Sequence, residues 1–527
     1  MQNKQRITIL VNVFISLFLV IIIRLAYIQI VKHKFYLEKS QEQRTRLIKL
    51  AAQRGDIFDR DGNILATSID TYSVYEYKKG WVARMLELRE AEKLMSEKPK
   101  ERSLIKEKKR VYPKTDLLAQ VLGFVGIDNQ GLSGIELSFD EYLRGSEGQL
   151  ITEGDTRGRE LYGAVRELTA GEDGMNVTLT IDENIQYIAE REITEQIKAS
   201  HAKSGMCIVM DAENGEILAL ASKPDFDPNT YRQFDSQLWH PKFLNPYEPG
   251  STFKLIAVAC GLEEGVIKPD SQLKKLVTIK VGDKTISNSH SIDEPGGTIS
   301  VSKVLEKSIN TGMVQIGLKL GKEKFYNGIM KFGFGQKTKF GMWGESSGIL
   351  RNWKYWNVPD IAMMTFGQSI AATPLQVMQA TSAFANDGVM LEPILIKKVE
   401  SQDGNFIKAG AQELERRAVS VKTAKEMKQL MENVVIHGSG RRAKIDKFRV
   451  GGKTGTAQKS NPAGGYLKNK YIASFIGFAP LDKPKVLALV IVDEPQGSIW
   501  GESVCGPVFS RVVGYTLRYL NAVPDML

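Results

Sequence analysis

The pattern of hydrophobic positions opens with one long apolar run close to the N-terminus. Residues 7–23 read ITILVNVFISLFLVIII and contain no charged side chain. Apolar side chains continue beyond Arg24 to Val31, so the whole segment is long enough for a helix that crosses a bilayer. The pattern therefore predicts a transmembrane anchor at residues 7–31.

The residues that flank this run predict its orientation. Lys4 and Arg6 precede it and no acidic residue does, which predicts a cytoplasmic tail at residues 1–6 and an extracytoplasmic remainder of the chain. A cleaved signal peptide is the alternative. No small residues follow the run in the spacing of a cleavage site, and this favours an anchor that is retained.

The region between residues 36 and 175 mixes helical and strand patterns and is rich in charges. It predicts an α+β domain that stands between the anchor and the rest of the chain. Within it, the strongly basic stretch at residues 83–110 predicts a solvated helical hairpin. Residues 154–163 begin and end with glycine and predict a connecting loop.

From residue 176 the pattern changes to short apolar strands. VTLTIDENIQ predicts a strand and then a helix that starts near Asp182, and two β-rich runs around Asn214-Gly215 predict a hairpin. RVGGKTGTAQ, YIASFIGFAP and KVLALVIVDEP predict three more strands, and VFSRVVGYTLRYL predicts a final amphipathic helix. Together they predict a five-stranded, mainly antiparallel sheet with flanking terminal helices, interrupted by a helix-rich insert at residues 250–440.

Composition agrees with a globular chain, with 42% hydrophobic and 25% charged residues. The three cysteines are too few and too scattered for a disulfide framework, and we expect buried free thiols at Cys207, Cys260 and Cys505. The five histidines are isolated from one another, so the sequence predicts neither a metal site nor a cofactor.

The distribution of charge changes the picture of what the protein contacts. The net charge is +10, and the first 50 residues hold nine basic and two acidic side chains. Most of the basic excess therefore flanks the apolar run. This indicates a membrane surface as a partner and argues against nucleic acid.

The segment EPGSTFKLIAVACGLEEG carries the first candidate chemistry. Pro249-Gly250 breaks the preceding loop, and the helix that begins at Ser251 is apolar on nearly all sides, so it should be buried. Lys254 lies one turn after Ser251 on the same face. Burial disfavours the ammonium form of the lysine, and a neutral amine can act as the base for the serine hydroxyl.

The pattern S-x-x-K alone is weak, because it occurs at Ser103, Ser200, Ser251, Ser271 and Ser300. Two further patterns follow it in the chain. Ser308-Ile309-Asn310 lies at a turn between two helical runs, and Lys453-Thr454-Gly455 lies on a predicted strand. S-x-x-K, S-x-N and K-T-G in this order are the signature of serine acyltransferases that react with penicillin.

On these residues the chain resembles the class B penicillin-binding proteins. The segments RGDIFDRDGNILA and GLSGIELSFDEYLRG resemble two segments of that family's membrane-proximal domain, and FGQSIAATPLQ and HGSGRRA resemble segments that accompany its catalytic motifs. Asn310, followed by Thr311-Gly312, resembles the cell-division branch more than the elongation branch.

The resemblance implies a fold and a set of site residues. It implies a single transmembrane helix, an elongated α+β pedestal of the dimerisation type at residues 36–175, and a serine β-lactamase-like transpeptidase domain at residues 176–527 with an all-helical inserted subdomain. The implied catalytic residues are Ser251, Lys254, Ser308, Asn310 and Lys453. The implied substrate-binding residues are Thr454, Gly455 and Thr456, with the backbone N–H groups of Ser251 and Thr456 as the oxyanion hole.

The implied activity is cross-linking of peptidoglycan stem peptides through a serine acyl-enzyme, with D,D-carboxypeptidase side activity and with β-lactams as covalent ligands. The implied partners are a membrane-embedded glycan polymerase and other division proteins. A non-catalytic β-lactam receptor, a division scaffold of the same fold and an elongation transpeptidase are the alternatives.

One detail of the predicted K-T-G strand conflicts with a simple picture of the site. Side chains alternate along a strand, so Thr454 and Thr456 should share one face and Lys453 should lie on the other. We therefore expect Lys453 to reach the cleft around the edge of the strand.

Overall fold

The computed structural model describes residues 2–526 except 51, 77–78, 100, 154–166, 290–295, 402, 405, 410–415 and 462–463. The loop predicted at residues 154–163 lies outside the described residues.

The chain has an α+β fold, in which helices and strands are interspersed along the sequence. The helices are α1 (Gln2–Ala26), α2 (His33–Arg44), α3 (Leu88–Glu97), α4 (Ala119–Leu122), α5 (Gly134–Ser138), α6 (Asp140–Leu143), α7 (Glu183–Ala199), α8 (Lys254–Glu263), α9 (Val301–Glu306), α10 (Asn310–Leu320), α11 (Lys322–Lys331), α12 (Val358–Met364), α13 (Pro374–Ala385), α14 (Val421–Ile436), α15 (Gly501–Val504) and α16 (Gly506–Tyr519). The strands are β1 (Thr45–Leu50), β2 (Ile57–Phe58), β3 (Ile64–Glu76), β4 (Gly80–Leu86), β5 (Arg102–Val111), β6 (Gly148–Glu153), β7 (Glu167–Thr169), β8 (Asn176–Leu179), β9 (Ser204–Asp211), β10 (Ile217–Lys223), β11 (Gln272–Lys274), β12 (Thr278–Val281), β13 (Lys284–Ser287), β14 (Thr298–Ser300), β15 (Val389–Met390), β16 (Ile396–Glu400), β17 (Phe406–Ala409), β18 (Arg416–Arg417), β19 (Gly451–Ser460), β20 (Tyr466–Ala479) and β21 (Val486–Asp493).

Two compact units divide the chain. One comprises residues 1–53 and 145–173, and the other comprises residues 54–144 and 174–527. This division does not coincide with the domains predicted at residues 36–175 and 176–527, so those bounds stay a prediction.

The smaller unit contains the N-terminal apolar helix. α1 continues through a π-helical turn at Tyr27–Val31, and together they make a helix, Asn3–Val31, that is long and apolar enough to cross a membrane. This helix fits the predicted single-pass anchor. The rest of the unit is α2 and an antiparallel sheet in the order β1-β6-β7.

The larger unit is built around the predicted five-stranded sheet. Its order is β10-β9-β21-β20-β19, and every neighbouring pair is antiparallel. The strands are apolar on both faces because both faces are covered. Met206, Ile208 and Met210 of β9 pack into one core, whereas Cys207 and Val209 pack into the other.

Different helices cover the two faces of this sheet. The core that contains Cys207 is completed by residues of α7 and α16, which are the helices predicted to flank the sheet. The core on the opposite face is completed by α8, α13 and α14 from the insert. The insert also contains short two-stranded sheets, β11 with β14 and β12 with β13. It therefore differs from the all-helical insert that the resemblance implies. The three cysteines are free and buried, as predicted.

The prediction of a helical hairpin at residues 83–110 is wrong. Among the residues described in this range only α3 is helical, while β4 and β5 both pair with β3. β5 runs beside β3 for ten residues. The carboxylate of Asp70 on β3 forms ion pairs with Lys106 and Lys108 at 2.8 and 2.7 Å. The local sequence pattern around Lys106 and Lys108 is typical of a solvated helix face. In the structure these lysines instead lie on a strand, and Asp70 on the neighbouring strand compensates their charges.

The two segments that resemble the membrane-proximal domain meet in a buried ion-pair cluster. Glu136, which is fully buried, accepts from Arg54 Nε and Arg110 Nε at 2.6 Å each. Arg54 also donates to Asp140 at 2.6 Å, and the hydroxyl of Tyr112 lies 3.2 Å from Glu136. We name these five residues the pedestal ion cluster. It fixes the turn before β2 against α5 and β5.

Candidate active site

Ser251 lies in a tight turn that leads into a buried helix. A 3₁₀ turn at Gly250–Phe253 precedes α8, and Ser251 is half-buried while the next eleven residues are buried. Gly250 has φ +56°, and a Cβ on it would lie 2.9 Å from the Cβ of Ala457. Its N–H donates to the carbonyl of Gly367 at 3.1 Å. Glycine is required here because the turn approaches two other segments so closely.

Lys254 is fully buried and is bonded to the S-x-N turn. Its Nζ lies 2.7 Å from the Ser308 carbonyl, 3.0 Å from Ser308 Oγ and 2.7 Å from Asn310 Oδ1. Burial, and then the nearby charge of Lys453, hold the pKa of Lys254 well below its usual value. The Ser251 hydroxyl is not among these three partners, but a residue three positions earlier in a helical run lies on the same face.

Ser308 is held in an unusual backbone conformation between α9 and α10. Its φ is +58°, in the left-handed region that a residue with a side chain rarely adopts. The Asn310 side chain, besides accepting from Lys254, donates through Nδ2 to the carbonyl of Ser287 at 3.0 Å. The turn therefore places a hydroxyl, a carbonyl and an amide oxygen around one buried amine.

Lys453 reaches the same hydroxyl from the other side. Its Nζ lies 3.0 Å from Ser308 Oγ and 3.1 Å from the carbonyl of Thr454. β19 is the edge strand of the five-stranded sheet, so a side chain on its far face can turn past the strand to the cleft. Burial lowers the pKa of Lys453 to about 7. Lys453 thus passes around the edge of β19, as the alternation of side chains along a strand predicts.

One arrangement of protons satisfies all of these contacts. A charged Lys453 donates to Ser308 Oγ, and the Ser308 hydroxyl donates to the lone pair of a neutral Lys254. The two hydrogens of Lys254 then point to the Ser308 carbonyl and Asn310 Oδ1. Two amines joined by one hydroxyl form a path along which a proton can move.

The K-T-G strand presents its remaining residues beside the serine. Thr454 Oγ1 lies 2.8 Å from Ser439 Oγ, and Thr456 Oγ1 accepts from the N–H of Gly501 at 3.3 Å. A Cβ on Gly455 would lie 2.2 Å from Ser474 Oγ and 3.0 Å from the Thr252 side chain. The strand therefore packs against the 3₁₀ turn that contains Ser251 only because position 455 has no side chain.

These residues border a cleft of about 640 Å³. Ser251, Asn310 and Thr456 line it, while Lys254 and Lys453 are fully buried beside it. The other walls come from residues that sequence reasoning did not single out, among them Lys284, Gln368, Tyr466 and Trp500. Gln368 lies in FGQSIAATPLQ, which resembles a segment that accompanies the family's catalytic motifs. No motif marks Lys284, Tyr466 or Trp500.

Two further polar residues near the site were also missed. Ser439, which contacts Thr454, lies in HGSGRRA. Glu248 Oε1 accepts from the N–H of Ser369 at 3.0 Å and from the hydroxyl of Tyr466 at 3.4 Å. Burial raises the pKa of Glu248. This carboxyl therefore ties the segment before Ser251 to two other walls of the cleft.

The fold and these residues together are those of the penicillin-reactive serine acyltransferases, and comparison with known proteins agrees. Residues 205–514 match the family model for the penicillin-binding protein transpeptidase domain. Residues 82–179 match the model for the penicillin-binding protein dimerisation domain.

Similar proteins match over almost the whole chain. Stage V sporulation protein D of Bacillus subtilis is 32% identical over 99% of this chain and 86% of its own length. The probable peptidoglycan D,D-transpeptidase PenA of Neisseria gonorrhoeae is 30% identical over 99% of this chain and 94% of its own. The crystal structure of penicillin-binding protein 3 from Mycobacterium tuberculosis superposes with a TM-score of 0.75 at 29% identity, covering 91% of this chain and 98% of that one.

The chain belongs to the penicillin-binding protein transpeptidase family. With a dimerisation domain model ahead of the transpeptidase model, it is a class B penicillin-binding protein, as the sequence predicts.

Proposed function

We propose that this protein cross-links peptidoglycan stem peptides through an acyl-enzyme on Ser251. The observation that carries the proposal is the single hydroxyl of Ser308, which lies 3.0 Å from both Lys254 Nζ and Lys453 Nζ beside the cleft that Ser251 lines. This arrangement supports proton transfer away from the nucleophile and toward a leaving group. PenA, a relative over nearly the full length, is named for the same activity.

The first half-reaction expels the terminal D-Ala of a donor stem peptide. Ser251 Oγ attacks the carbonyl of the penultimate D-Ala, and its proton passes to the neutral Nζ of Lys254. Ser308 then relays a proton to the nitrogen of the scissile bond as the C–N bond breaks. Free D-Ala leaves, and the donor peptide remains as an ester on Ser251.

The second half-reaction restores the enzyme. An amine of a neighbouring stem peptide attacks the ester carbonyl and loses a proton to the same lysine and hydroxyl path. The cross-link forms as the C–O bond to Ser251 breaks, and the same path returns that proton to Ser251 Oγ. Water in place of the amine gives D,D-carboxypeptidase side activity. Asn310 holds the Lys254 amine and faces the substrate amide.

The K-T-G strand binds the substrate in this proposal. Lys453, Thr454, Gly455 and Thr456 receive the terminal carboxylate of the donor. The backbone N–H groups of Ser251 and Thr456 form the oxyanion hole, in which each donor lowers the barrier by about 3 kcal/mol. Both residues line the cleft, which supports their roles.

We expect β-lactams to acylate Ser251 by the same first half-reaction, and their ring amide then takes the place of the scissile peptide bond. A non-catalytic receptor or a scaffold would also be acylated. The proton path through Ser308 favours the enzyme, because a receptor needs no route back to the free serine.

We also propose the cellular setting. Lys4 and Arg6 ahead of the anchor favour a cytoplasmic N-terminus and an extracytoplasmic cleft. Asn310 followed by Thr311-Gly312 favours the division branch, with a membrane-embedded glycan polymerase and other division proteins as partners. A fluorescent fusion should therefore concentrate at the septum, whereas uniform signal along the lateral wall would favour the elongation branch.

Replacement of the nucleophile tests the proposed chemistry. In detergent-solubilised full-length protein, Ser251→Ala should abolish covalent labelling by a fluorescent penicillin, because it removes the hydroxyl that lines the cleft one helical turn before Lys254. Ser103→Ala is the matched control, since Ser103 begins another S-x-x-K pattern but lies exposed on β5. Labelling of Ser251→Ala at the stoichiometry of Ser103→Ala would remove Ser251 from its role.

A further inference from the structure

The wall of the cleft formed by β13, which pairs with β12, is attached to the S-x-N turn. Residues 284–289 line the cleft at the end of this hairpin. The carbonyl of Ser287 accepts from Asn310 Nδ2, and Asn288 Oδ1 accepts from the N–H of Thr311, each at 3.0 Å. The hairpin is therefore held at a defined position relative to the S-x-N turn.

Lys284 is exposed on this wall, and no carboxylate of the described residues pairs with it. Among the described residues that line the cleft it is the one charged side chain. Its Nζ donates to Met363 Sδ at 3.4 Å, and a thioether is a weak acceptor. Across the part of the chain that the structure describes, no carboxylate oxygen lies within ion-pair distance of it. Within the described residues, the ammonium charge of Lys284 thus has no carboxylate partner on the wall of the cleft.

The surroundings of Lys284 favour an anion on the bound ligand. Phe366, Tyr466, Tyr471 and Trp500 contribute aromatic walls to the same cleft. A charge beside apolar walls interacts more strongly with an opposite charge than it does in open water. A ligand carboxylate would gain this attraction without displacing an acidic side chain of the described lining.

We propose that Lys284 binds a carboxylate on the donor stem peptide, so that the site selects an anionic donor. The inference rests on the proposed function and names a specificity residue within it. The peptide that precedes the scissile bond extends from the carbonyl carbon that Ser251 attacks, and so does the acylamino side chain of a penicillin. A carboxylate on that side chain therefore tests the same contact.

Two penicillins that differ by one carboxylate provide the test. Benzylpenicillin and its α-carboxy derivative, carbenicillin, are reacted with full-length protein in detergent, and the ratio of their acylation rate constants is measured. Lys284→Met should lower the carbenicillin-to-benzylpenicillin ratio about fivefold, which is typical of a partly exposed ion pair. Lys284→Glu should lower it further. Lys280→Met is the matched control, because Lys280 is exposed on the same hairpin but does not line the cleft, and it should keep the wild-type ratio.

Other results would overturn the inference. An unchanged ratio in both Lys284 variants would show that the lysine does not sense the ligand's charge. Loss of acylation by both penicillins in Lys284→Met would place the residue in the chemistry and not in recognition. Wild-type protein that reacts with neither penicillin would contradict the proposed function itself, so the two failures are distinguishable.

Discussion

At the scale of single residues, the central feature is that two buried lysines share one hydroxyl. Ser308 Oγ lies 3.0 Å from each Nζ, and both ammonium groups are removed from water. Two adjacent positive charges in such a place disfavour each other, and the charge of Lys453 adds to burial in lowering the pKa of Lys254. Near neutral pH we therefore expect a neutral base at Lys254 and a partly charged Lys453.

This difference predicts a bell-shaped pH profile for acylation. The second-order rate constant of acylation should rise from acidic pH, because Lys254 loses its proton and becomes a base. It should fall above about pH 7, where Lys453 loses the charge that receives the ligand's carboxylate. Stopped-flow labelling with a fluorescent penicillin measures both limbs. A rate that still rises at about pH 9 would contradict the need for a charged Lys453.

A variant with a permanent charge identifies the alkaline limb. In Lys453→Arg the guanidinium stays protonated across this range, so the decline above neutral pH should disappear even if the maximum rate is lower. The acid limb should remain, because Lys254 is unchanged. If the rate of Lys453→Arg still declines at alkaline pH, a group other than Lys453 causes that decline.

The sequence predicts the chemistry of single residues better than their geometry. The apolar surroundings of Lys254 were enough to predict a buried lysine, and order along the chain linked it to Ser308 and Lys453. The left-handed backbone of Ser308 could not be predicted, since serine does not favour it. Lys284 carries no local signal, because only the fold brings it to the cleft.

At the scale of elements, the pedestal ion cluster holds several short pieces of structure together. Arg54 precedes β2, Arg110 lies one residue before the end of β5, and Glu136 belongs to α5. One fully buried carboxylate joins the two guanidinium groups, each through a bond of 2.6 Å. Removal of one member of such a cluster leaves charges buried without a partner.

The cluster makes a prediction about stability. Glu136→Ala should cost about 3–5 kcal/mol, because two buried arginines lose their shared carboxylate. The melting temperature of the full-length protein should fall by several degrees. Glu141→Ala is the control, since Glu141 lies exposed in the next helix and its loss should cost about 0.5 kcal/mol or less. Equal melting temperatures for the two variants would show that the cluster does not stabilise the fold.

Elements were predictable where their pattern is local. The strands of the five-stranded sheet and the helix that begins after Asp182 have clear periodicity, and the structure confirms them. β5 was not predictable, because its lysines meet Asp70 on a strand more than thirty residues away in the chain. Such long-range pairing overrides local preference.

At the scale of the whole molecule, the relatives match from the apolar helix to the last helix. Stage V sporulation protein D and PenA each align over 99% of this chain. Both alignments therefore cover the order of apolar helix, dimerisation region and transpeptidase region in this chain. The sequence predicts this order from one apolar run and three motifs, whereas the division into compact units depends on tertiary contacts that no motif records.

The claim on which the whole account depends is that Ser251 forms the covalent bond. The direct measurement is digestion of penicillin-labelled full-length protein and mass-spectrometric mapping of the adduct. The account predicts one penicilloyl group, on the peptide that contains Ser251. An adduct on any other residue, with Ser251 unmodified, would contradict it.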